Sequence, residues 1–237
     1  MGVATLLVMK TDDRKWIVVR IDGKIAGIST DYRILASISA YLAGTFRDGD
    51  GQQNRKARRK GNEGTELYKE ITATSVGFDE VWKLRQEVSW DDLMLFGTDF
   101  QKKVWRQLWE MTHQTETESD PDQKSPKKKE GQNKVKSLIC YSDFAELCQN
   151  RAGVRAVAHA IGLNPVAVLI PCHLVIPKEA VDKINAIQTK AEATIFKGED
   201  LCLDSILKDA SIDFGEYSLG RNLKRELITL ELTGEIL

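Results

Sequence analysis

Apolar positions near the N-terminus predict a β-hairpin followed by a helix. Two β-branched apolar runs within residues 15–30 flank Asp22-Gly23, a dipeptide that favours a tight hairpin turn. Four further apolar side chains then recur at helical spacing. They are Ile34, Leu35, Ile38 and Leu42. Residues 1–93 are therefore predicted to form a small domain of strands and helices.

A helical pattern begins after Trp90. Apolar side chains at steps of about four predict one core-facing stripe, and Thr98-Asp99 is a capping sequence ahead of it. The stripe consists of Phe96, Phe100, Val104, Leu108 and Met111. Residues 94–237 are predicted to form a second domain, which is mostly helical.

Two short helices joined by a glycine-containing turn are predicted within this second domain. The first begins near Ser142, after a short strand or turn, and four of its side chains are predicted to pack inward. These are Phe144, Ala145, Leu147 and Cys148. A turn at residues 151–153 leads into the second helix, VRAVAHAIG. The layout is that of a helix-turn-helix, which often binds DNA, although many such pairs only pack against each other.

Three polar or charged stretches interrupt these patterns. Residues 47–64 predict an exposed loop, and residues 112–136 predict a disordered insertion. From residue 179 to residue 213, by contrast, apolar side chains at helical spacing predict amphipathic helices. Nine acidic side chains and four lysines lie within residues 179–216, so this stretch carries a net charge of −5.

Composition limits the classes of function. The chain has 237 residues, 42% hydrophobic residues and a formal net charge of −1, which are ordinary values for a globular protein. No apolar run is long enough to span a bilayer, so no membrane association is expected. Residues 134–178 contain five basic and two acidic side chains. Any binding of nucleic acid by this modestly basic segment should therefore depend only weakly on salt.

One cysteine lies in an unusual setting. The stretch 164–177, NPVAVLIPCHLVIP, predicts a buried strand that presents Cys172 beside His173. The thiolate is the nucleophilic form of cysteine, and a neighbouring base favours it. Adjacent side chains on an extended strand point to opposite faces, so a bridging water or a bent backbone would be required. On this dipeptide alone, a buried structural cysteine is an equal alternative.

No metal or other cofactor is expected. None of the four cysteines has C-x-x-C spacing, and residues 1–112 contain neither cysteine nor histidine. A disulfide scaffold is also improbable at this chain length.

Four stretches together have the content and order of a family motif. The longest is RAVAHAIGLNPVAVLIPCHLVIP, which begins at Arg155. The other three are GTDFQKKVWRQLW from Gly97, CYSDFAEL from Cys140 and EYSLGRNLKRELITLE from Glu216. They resemble the O(6)-alkylguanine-DNA alkyltransferases. The resemblance implies a ribonuclease H-like N-terminal α/β domain, with a small antiparallel sheet and helices. It also implies a mostly α, winged-helix-like C-terminal domain that carries a helix-turn-helix.

The resemblance implies a catalytic set of four residues. Cys172 would accept the alkyl group, and His173 would deprotonate the thiol through a water molecule. Glu231 would orient and stabilise the imidazole. Asn164 would hold the turn between the recognition helix and the cysteine segment.

The resemblance also implies residues that bind DNA and the damaged base. Arg155 would enter the base stack and occupy the space of the flipped nucleotide. Tyr141 would contact the neighbouring phosphate and donate to the base. Small residues would let the helix approach a groove closely, and they are Gly153, Ala156 and Ala158. The guanine pocket would be lined by Val175, Tyr217 and Ser218.

The function implied is repair of DNA by direct reversal of damage. After base flipping, the alkyl group of O(6)-alkylguanine, and of O(4)-alkylthymine, would pass irreversibly to Cys172, so one molecule would repair one lesion. An alkyltransferase-like sensor that recruits other repair factors is the alternative, although such sensors usually lack the cysteine. An unrelated cysteine hydrolase is a third interpretation, against which the lack of a separate catalytic histidine argues.

The implied partner is double-stranded DNA that contains alkylated guanine, bound by a monomer. The expected compartment is the nucleus if the source is a eukaryote and the cytoplasm if it is a bacterium, with the nucleus favoured. The sequence departs from the family pattern at Leu174, where arginine is usual, and at Leu219, where glycine is common. It departs further in residues 179–213, where the family has a short connection.

Overall fold

The computed structural model describes residues 14–42, 70–113, 138–193 and 206–233. These residues divide into two compact units. The first unit contains the described residues up to 102 together with 164–169, and the second contains the described residues of 103–163 and 170–233. The domain bounds predicted above, 1–93 and 94–237, stay a prediction.

A three-stranded antiparallel sheet forms the core of the first unit. Strand β1 (Trp16–Ile21) lies between β2 (Lys24–Ser29) and β3 (Ile71–Val76). The predicted hairpin is confirmed. Asp22 and Gly23 have φ values of 48° and 82°, the left-handed backbone that a two-residue hairpin turn requires.

Helix α1 (Arg33–Leu42) packs on this sheet, and helix α2 (Phe78–Glu87) follows β3. The helix predicted after Asp31 is thus confirmed, with Ile38 buried in the sheet's core. A Cβ atom at Gly27 would lie 2.8 Å from Ile34 Cγ1, so the absence of a side chain at Gly27 admits the helix. The predicted loop at 47–64 lies outside the described residues.

Helix α3 (Asp99–Glu110) begins where the capping sequence predicts. Thr98 Oγ1 accepts a hydrogen bond from Gln101 N at 3.2 Å, and Gln101 Oε1 accepts one from Thr98 N at 2.8 Å. This reciprocal pair satisfies two backbone donors at the helix start. Val104 and Leu108 of the predicted stripe are buried. Trp105 is buried as well, and its indole Nε1 donates to the Ala160 carbonyl at 2.8 Å.

The second unit contains the predicted helix pair. A two-residue strand β4 (Ile139–Cys140) leads into α4 (Tyr141–Leu147), and a 3₁₀ turn at Arg151–Gly153 leads into α5 (Val154–Gly162). The inward packing predicted for Leu147 is wrong, since this residue is 50% exposed. Phe144, Ala145 and Cys148 occupy the buried face instead, and Leu147 lies outside it at the last position of the helix.

The segment before Cys172 is buried as predicted, but the prediction that it forms a strand is wrong. Residues 166–176 are all buried, yet only β5 (Val175–Ile176) is a strand, paired in parallel with β4. Val168 has a φ of 72°, which ends an extended run, and Cys172–Leu174 form a 3₁₀ turn. Because the backbone is bent here, the opposite-face geometry of an extended strand does not apply to Cys172 and His173.

Helix α6 (Lys178–Ala193) and C-terminal helix α7 (Arg221–Thr233) complete the second unit. The prediction of amphipathic helices in 179–213 is confirmed for α6 and for a helical turn at 206–208. The apolar side chains from these parts form one core cluster with α7. Its buried members are Ile176, Ala180, Ile184, Ile206, Ile212, Phe214, Ile228 and Leu232. Of the insertion predicted at 112–136, only the first two residues are described. Among the described helices, none is long and apolar enough to cross a bilayer.

Replacement of Gly23 by alanine should lower the free energy of unfolding by about 1–2 kcal/mol, because a side chain is disfavoured at left-handed φ. No atom lies within 4 Å of the added Cβ, so the cost would be backbone strain alone. Gly162→Ala is the matched control, with an equally open Cβ site at the end of α5. Helix propensity predicts a gain of about 0.5–1 kcal/mol there. Urea denaturation measures both changes, and equal stability of the two variants would contradict the assigned turn.

Candidate active site

Cys172 lies at the centre of the candidate site and is only 6% exposed. The 3₁₀ turn that carries it is held by hydrogen bonds from Cys172 N to the Ile170 carbonyl and from Leu174 N to the Pro171 carbonyl. Burial raises the pKa of Tyr141, and the charge of a Cys172 thiolate raises it further. The same two causes, in the same order, raise the pKa of Tyr217 well above its ordinary value. Both phenols thus lie within electrostatic reach of the sulfur and stay protonated at neutral pH.

His173 is fully buried and is bound to the C-terminal helix. Its Nε2 lies 2.9 Å from Glu231 Oε1, a hydrogen bond across 58 residues of sequence. The Glu231 side chain is 13% exposed. With Nε2 as the donor, the neutral ring has its basic lone pair at Nδ1, and a charged ring would be stabilised by the carboxylate. The contact therefore fixes both the orientation and the tautomer of the imidazole.

Lys224 is a member of the site that the sequence analysis missed. It is 1% exposed, and its Nζ donates to the Val175 carbonyl at 2.8 Å and to the Glu216 carbonyl at 3.3 Å. Nζ also lies 5.9 Å from the centre of the Tyr141 ring. Burial lowers the Lys224 pKa to about 8, although a thiolate at Cys172 opposes the shift. With a pKa of about 8 the lysine is still mostly charged at neutral pH, so an ammonium lies within electrostatic reach of the Cys172 sulfur.

A sequence signal for Lys224 does exist. Lys224, Leu227, Ile228 and Glu231 follow the i, i+3, i+4, i+7 spacing of one helix face. Leu227 and Ile228 are buried, so both charged members of this stripe face the interior. A lysine at an apolar position of an amphipathic helix marks a buried charge, and buried charges are frequent at functional sites.

A glycine with a left-handed backbone, Gly215, precedes Tyr217 and lets this segment pack closely against Pro177. Gly215 has a φ of 84°, and a Cβ at this position would lie 3.0 Å from two ring carbons of Pro177. The close approach places the next residues beside Lys224, which binds the Glu216 carbonyl. The hydroxyl oxygen of Tyr217 is buried, whereas Ser218 is exposed.

The remaining predicted site residues divide between the two units. Val175 is buried beside the thiol segment, and its carbonyl binds Lys224. Asn164 belongs to the first unit, where its Oδ1 accepts a hydrogen bond from Val166 N at 3.0 Å and closes the turn after α5. Among the described residues, no group of three or more His, Cys, Asp or Glu side chains forms a candidate metal site.

Helix α5 presents an exposed face that carries Arg155. Arg155 and Ala156 are exposed and Ala158 is half-buried. Gly153 precedes the helix, and a Cβ there would lie 2.4 Å from the Asn150 side chain, which would have to move to admit a larger residue. His159 is exposed one helical turn beyond Arg155.

The structure therefore brings together a buried thiol, two phenols, a lysine and a histidine–carboxylate pair. This is the chemistry of a cysteine nucleophile with proton-transfer groups around it. The same unit carries two helices joined by a short turn, with the exposed Arg155 on the second helix.

Comparison with known proteins identifies this part of the chain. Residues 134–194 match the family model of the 6-O-methylguanine DNA methyltransferase DNA binding domain. The matched segment contains Cys172 and His173, and the resemblance seen in the sequence is confirmed for it.

Curated relatives named methylated-DNA--protein-cysteine methyltransferase are similar to part of this chain. A probable methylated-DNA--protein-cysteine methyltransferase of Acanthamoeba polyphaga mimivirus is 38% identical over 87 residues, which cover 37% of this chain and 44% of the relative. The inducible methylated-DNA--protein-cysteine methyltransferase of Bacillus subtilis is 39% identical over 82 residues, 35% of this chain and 34% of the relative. The chain thus spans less than half the length of these curated relatives.

Solved structures are similar over more of the chain but less closely. O6-methylguanine-DNA methyltransferase from Pyrococcus kodakaraensis strain KOD1 aligns with 94% of this chain and 95% of its own, at 20% identity and a TM-score of 0.42. Mycobacterium tuberculosis OGT in complex with DNA aligns with 92% and 86%, at 18% identity and a TM-score of 0.37.

Lys224→Met should change how stability depends on pH. The folded-state pKa of about 8 lies below the unfolded value near 10.4, so the unfolded protein binds more protons between these pH values. The wild type should therefore gain about 3 kcal/mol of stability relative to the variant as pH rises through this window. Below pH 8 the cost of burying the charge is complete, and the variant should match or exceed the wild type.

Urea denaturation from pH 7 to pH 10 measures this difference. Lys102→Met, an exposed lysine of α3, is the control and should give a constant difference from the wild type. A constant difference for Lys224→Met as well would contradict the buried charge.

Proposed function

We propose that the protein repairs DNA by direct reversal of alkylation. In this proposal the alkyl group of O(6)-alkylguanine, or of O(4)-alkylthymine, is transferred irreversibly to Cys172, and each molecule acts once. The observation that carries the proposal is the position of Cys172 within the matched family domain, buried beside a histidine that is hydrogen-bonded to Glu231.

The proposed reaction balances as a displacement at carbon. His173, through a water molecule, accepts the thiol proton of Cys172, and the carboxylate of Glu231 stabilises the charged imidazole. The sulfur attacks the alkyl carbon, a C–S bond forms, and the bond between carbon and the base oxygen breaks. The thioether product does not regenerate the thiol, which is why turnover stops.

The departing base carries the displaced electron pair and needs hydrogen-bond donors. The phenols of Tyr141 and Tyr217 suit this role because their raised pKa values keep them protonated. The ammonium of Lys224 adds positive charge next to the thiolate and the leaving base. Val175 and Ser218 are the other proposed walls of the guanine pocket.

Double-stranded DNA is the proposed partner, bound by a monomer. A base inside the duplex reaches a buried thiol only after it is flipped out, at a cost of a few kcal/mol. Arg155, exposed on α5, would fill the vacated space. Small residues at 153, 156 and 158 would allow close contact with the minor groove, where sequence readout is weak. Asn164 would hold the turn between α5 and the cysteine segment.

We also infer the finer fold assignment and the compartment. The first unit would be ribonuclease H-like and the second winged-helix-like. The nucleus stays the expected compartment for a eukaryotic source and the cytoplasm for a bacterial one. The sensor alternative is not favoured, because the chain retains a cysteine at position 172 in the motif.

Incubation with a duplex that contains one O(6)-methylguanine should add a single methyl group to Cys172. Intact-mass analysis followed by peptide mapping measures the adduct, and Cys172→Ser should abolish it. Cys140→Ser is the matched control, since Cys140 is also buried but lies outside the proposed chemistry, and it should react like the wild type. Binding of the duplex without any added methyl would favour the sensor alternative.

Glu231→Gln should slow transfer by about 10- to 100-fold, because the amide keeps a hydrogen bond to His173 but no longer stabilises its charge. The measurement is the single-turnover rate at saturating DNA. Glu110→Gln, which removes an exposed carboxylate paired with Arg106, is the control and should react at the wild-type rate. A wild-type rate for Glu231→Gln would exclude the carboxylate from the mechanism.

A further inference from the structure

We propose that Arg225 is a positioning residue for the guanine pocket. It would act through a clasp, defined here as helix α6 together with residues 206–213, on the pocket segment, residues 214–218. The inference rests on the proposed alkyl transfer and adds a specific role for the stretch that the family lacks.

The side chain of Arg225 donates hydrogen bonds to backbone carbonyls of the clasp. Its Nη1 donates to the Leu207 carbonyl at 3.0 Å, and its Nη2 donates to the Ile212 carbonyl at 2.6 Å. The guanidinium carbon also lies 4.6 Å from the ring centre of Phe214. One side chain of α7 therefore holds both ends of a six-residue stretch and contacts the first residue of the pocket segment. The planar guanidinium suits this task because its donors form a rigid fork.

Apolar side chains of the clasp also pack against helix α7. Ile206, Ile212 and Phe214 are buried in one cluster with Ile228 and Leu232 of α7. Within the clasp, Lys183 Nζ of α6 donates to the Ser211 carbonyl at 2.6 Å. The clasp is thus a packed part of the second unit, and its buried side chains share one apolar cluster with α7.

The pocket segment is tied down at its other end by the neighbouring basic residue. Lys224 binds the Glu216 carbonyl, directly before Tyr217. Consecutive residues of α7, Lys224 and Arg225, therefore bind three carbonyls of one stretch, those of Leu207, Ile212 and Glu216. Between them Gly215 lies against Pro177, which leaves the segment little freedom to shift.

This arrangement makes the position of the Tyr217 hydroxyl depend on Arg225. The hydroxyl is buried near the Cys172 sulfur, and a displacement of the order of 1 Å of a reacting group is enough to cost a large factor in rate. Arg225 makes these contacts on the side of α7 that holds the clasp, and the proposed DNA-binding helix α5 takes no part in them. Loss of the guanidinium should therefore affect the chemical step and leave DNA affinity unchanged.

The test is single-turnover methyl transfer from a duplex with one O(6)-methylguanine, measured over a range of protein concentrations. Arg225→Met should lower the maximal rate by about tenfold or more while the concentration for half-maximal rate stays within about twofold. Arg225→Lys, which retains the charge but offers a single donor group, should fall between Met and wild type. Arg106→Met is the control, since Arg106 is exposed on α3 and its Nε lies 2.7 Å from Glu110 Oε1 of the same helix, and both parameters should be unchanged.

Lys183→Met provides an independent arm in case Arg225→Met does not fold. It removes the tie to Ser211 without touching α7, and it should lower the maximal rate in the same direction by about two- to threefold. A folded Arg225→Met with unchanged maximal rate would overturn the inference, as would a rise in the half-maximal concentration alone. Failure of the wild type to transfer methyl would overturn the proposed function itself, so the two failures are distinct.

Discussion

Two charged side chains lie on the buried stripe of helix α7, and the second unit is organised around them. Lys224 and Glu231 face inward together with Leu227 and Ile228. A buried charge is costly unless hydrogen bonds or an opposite charge compensate it. Lys224 obtains two backbone carbonyls and Glu231 obtains His173. The helix therefore packs in one register only, because any rotation would leave a buried charge without its partner.

The same contacts couple the stability of the unit to its chemistry. The carbonyl of Val175 belongs to a strand of two residues, which is too short to be fixed by pairing with β4 alone. Lys224 anchors this strand directly after the turn that carries Cys172 and His173. A methionine at position 224 would remove the cost of the buried charge, yet it would also release the strand next to the nucleophile. Lysine at this position costs stability and contributes to the site, as is common for functional residues.

Local sequence patterns were sufficient to predict the elements whose conformation is set by residues close in the sequence. The Asp22-Gly23 hairpin and the Thr98 cap follow from turn and capping rules that act over four residues. The path into Cys172 was not predictable in this way, because Val168 has a left-handed φ that its own side chain disfavours. Lys224 was missed for a related reason: a lysine is normally exposed, and only the tertiary packing of α7 buries it. The contact of His173 with Glu231 joins residues 58 apart, so it was expected only from the family resemblance.

The acidic stretch after the cysteine presents the remaining problem, since negative charge near DNA opposes binding. In the described part of this stretch several carboxylates have cationic partners: Asp182 lies 3.6 Å from Lys178, and Arg221 contacts both Asp213 and Glu216. The hydrogen bond from Arg221 is also the main cause that lowers the pKa of Glu216. Such exposed pairs contribute little stability, but they reduce the local field. The apolar face of the stretch, in contrast, is buried against α7. The sequence of this stretch is thus better explained by the packing that fixes the pocket segment than by its net charge. Its charged side chains that form these ion pairs lie on the solvent-exposed side of a packed structural element.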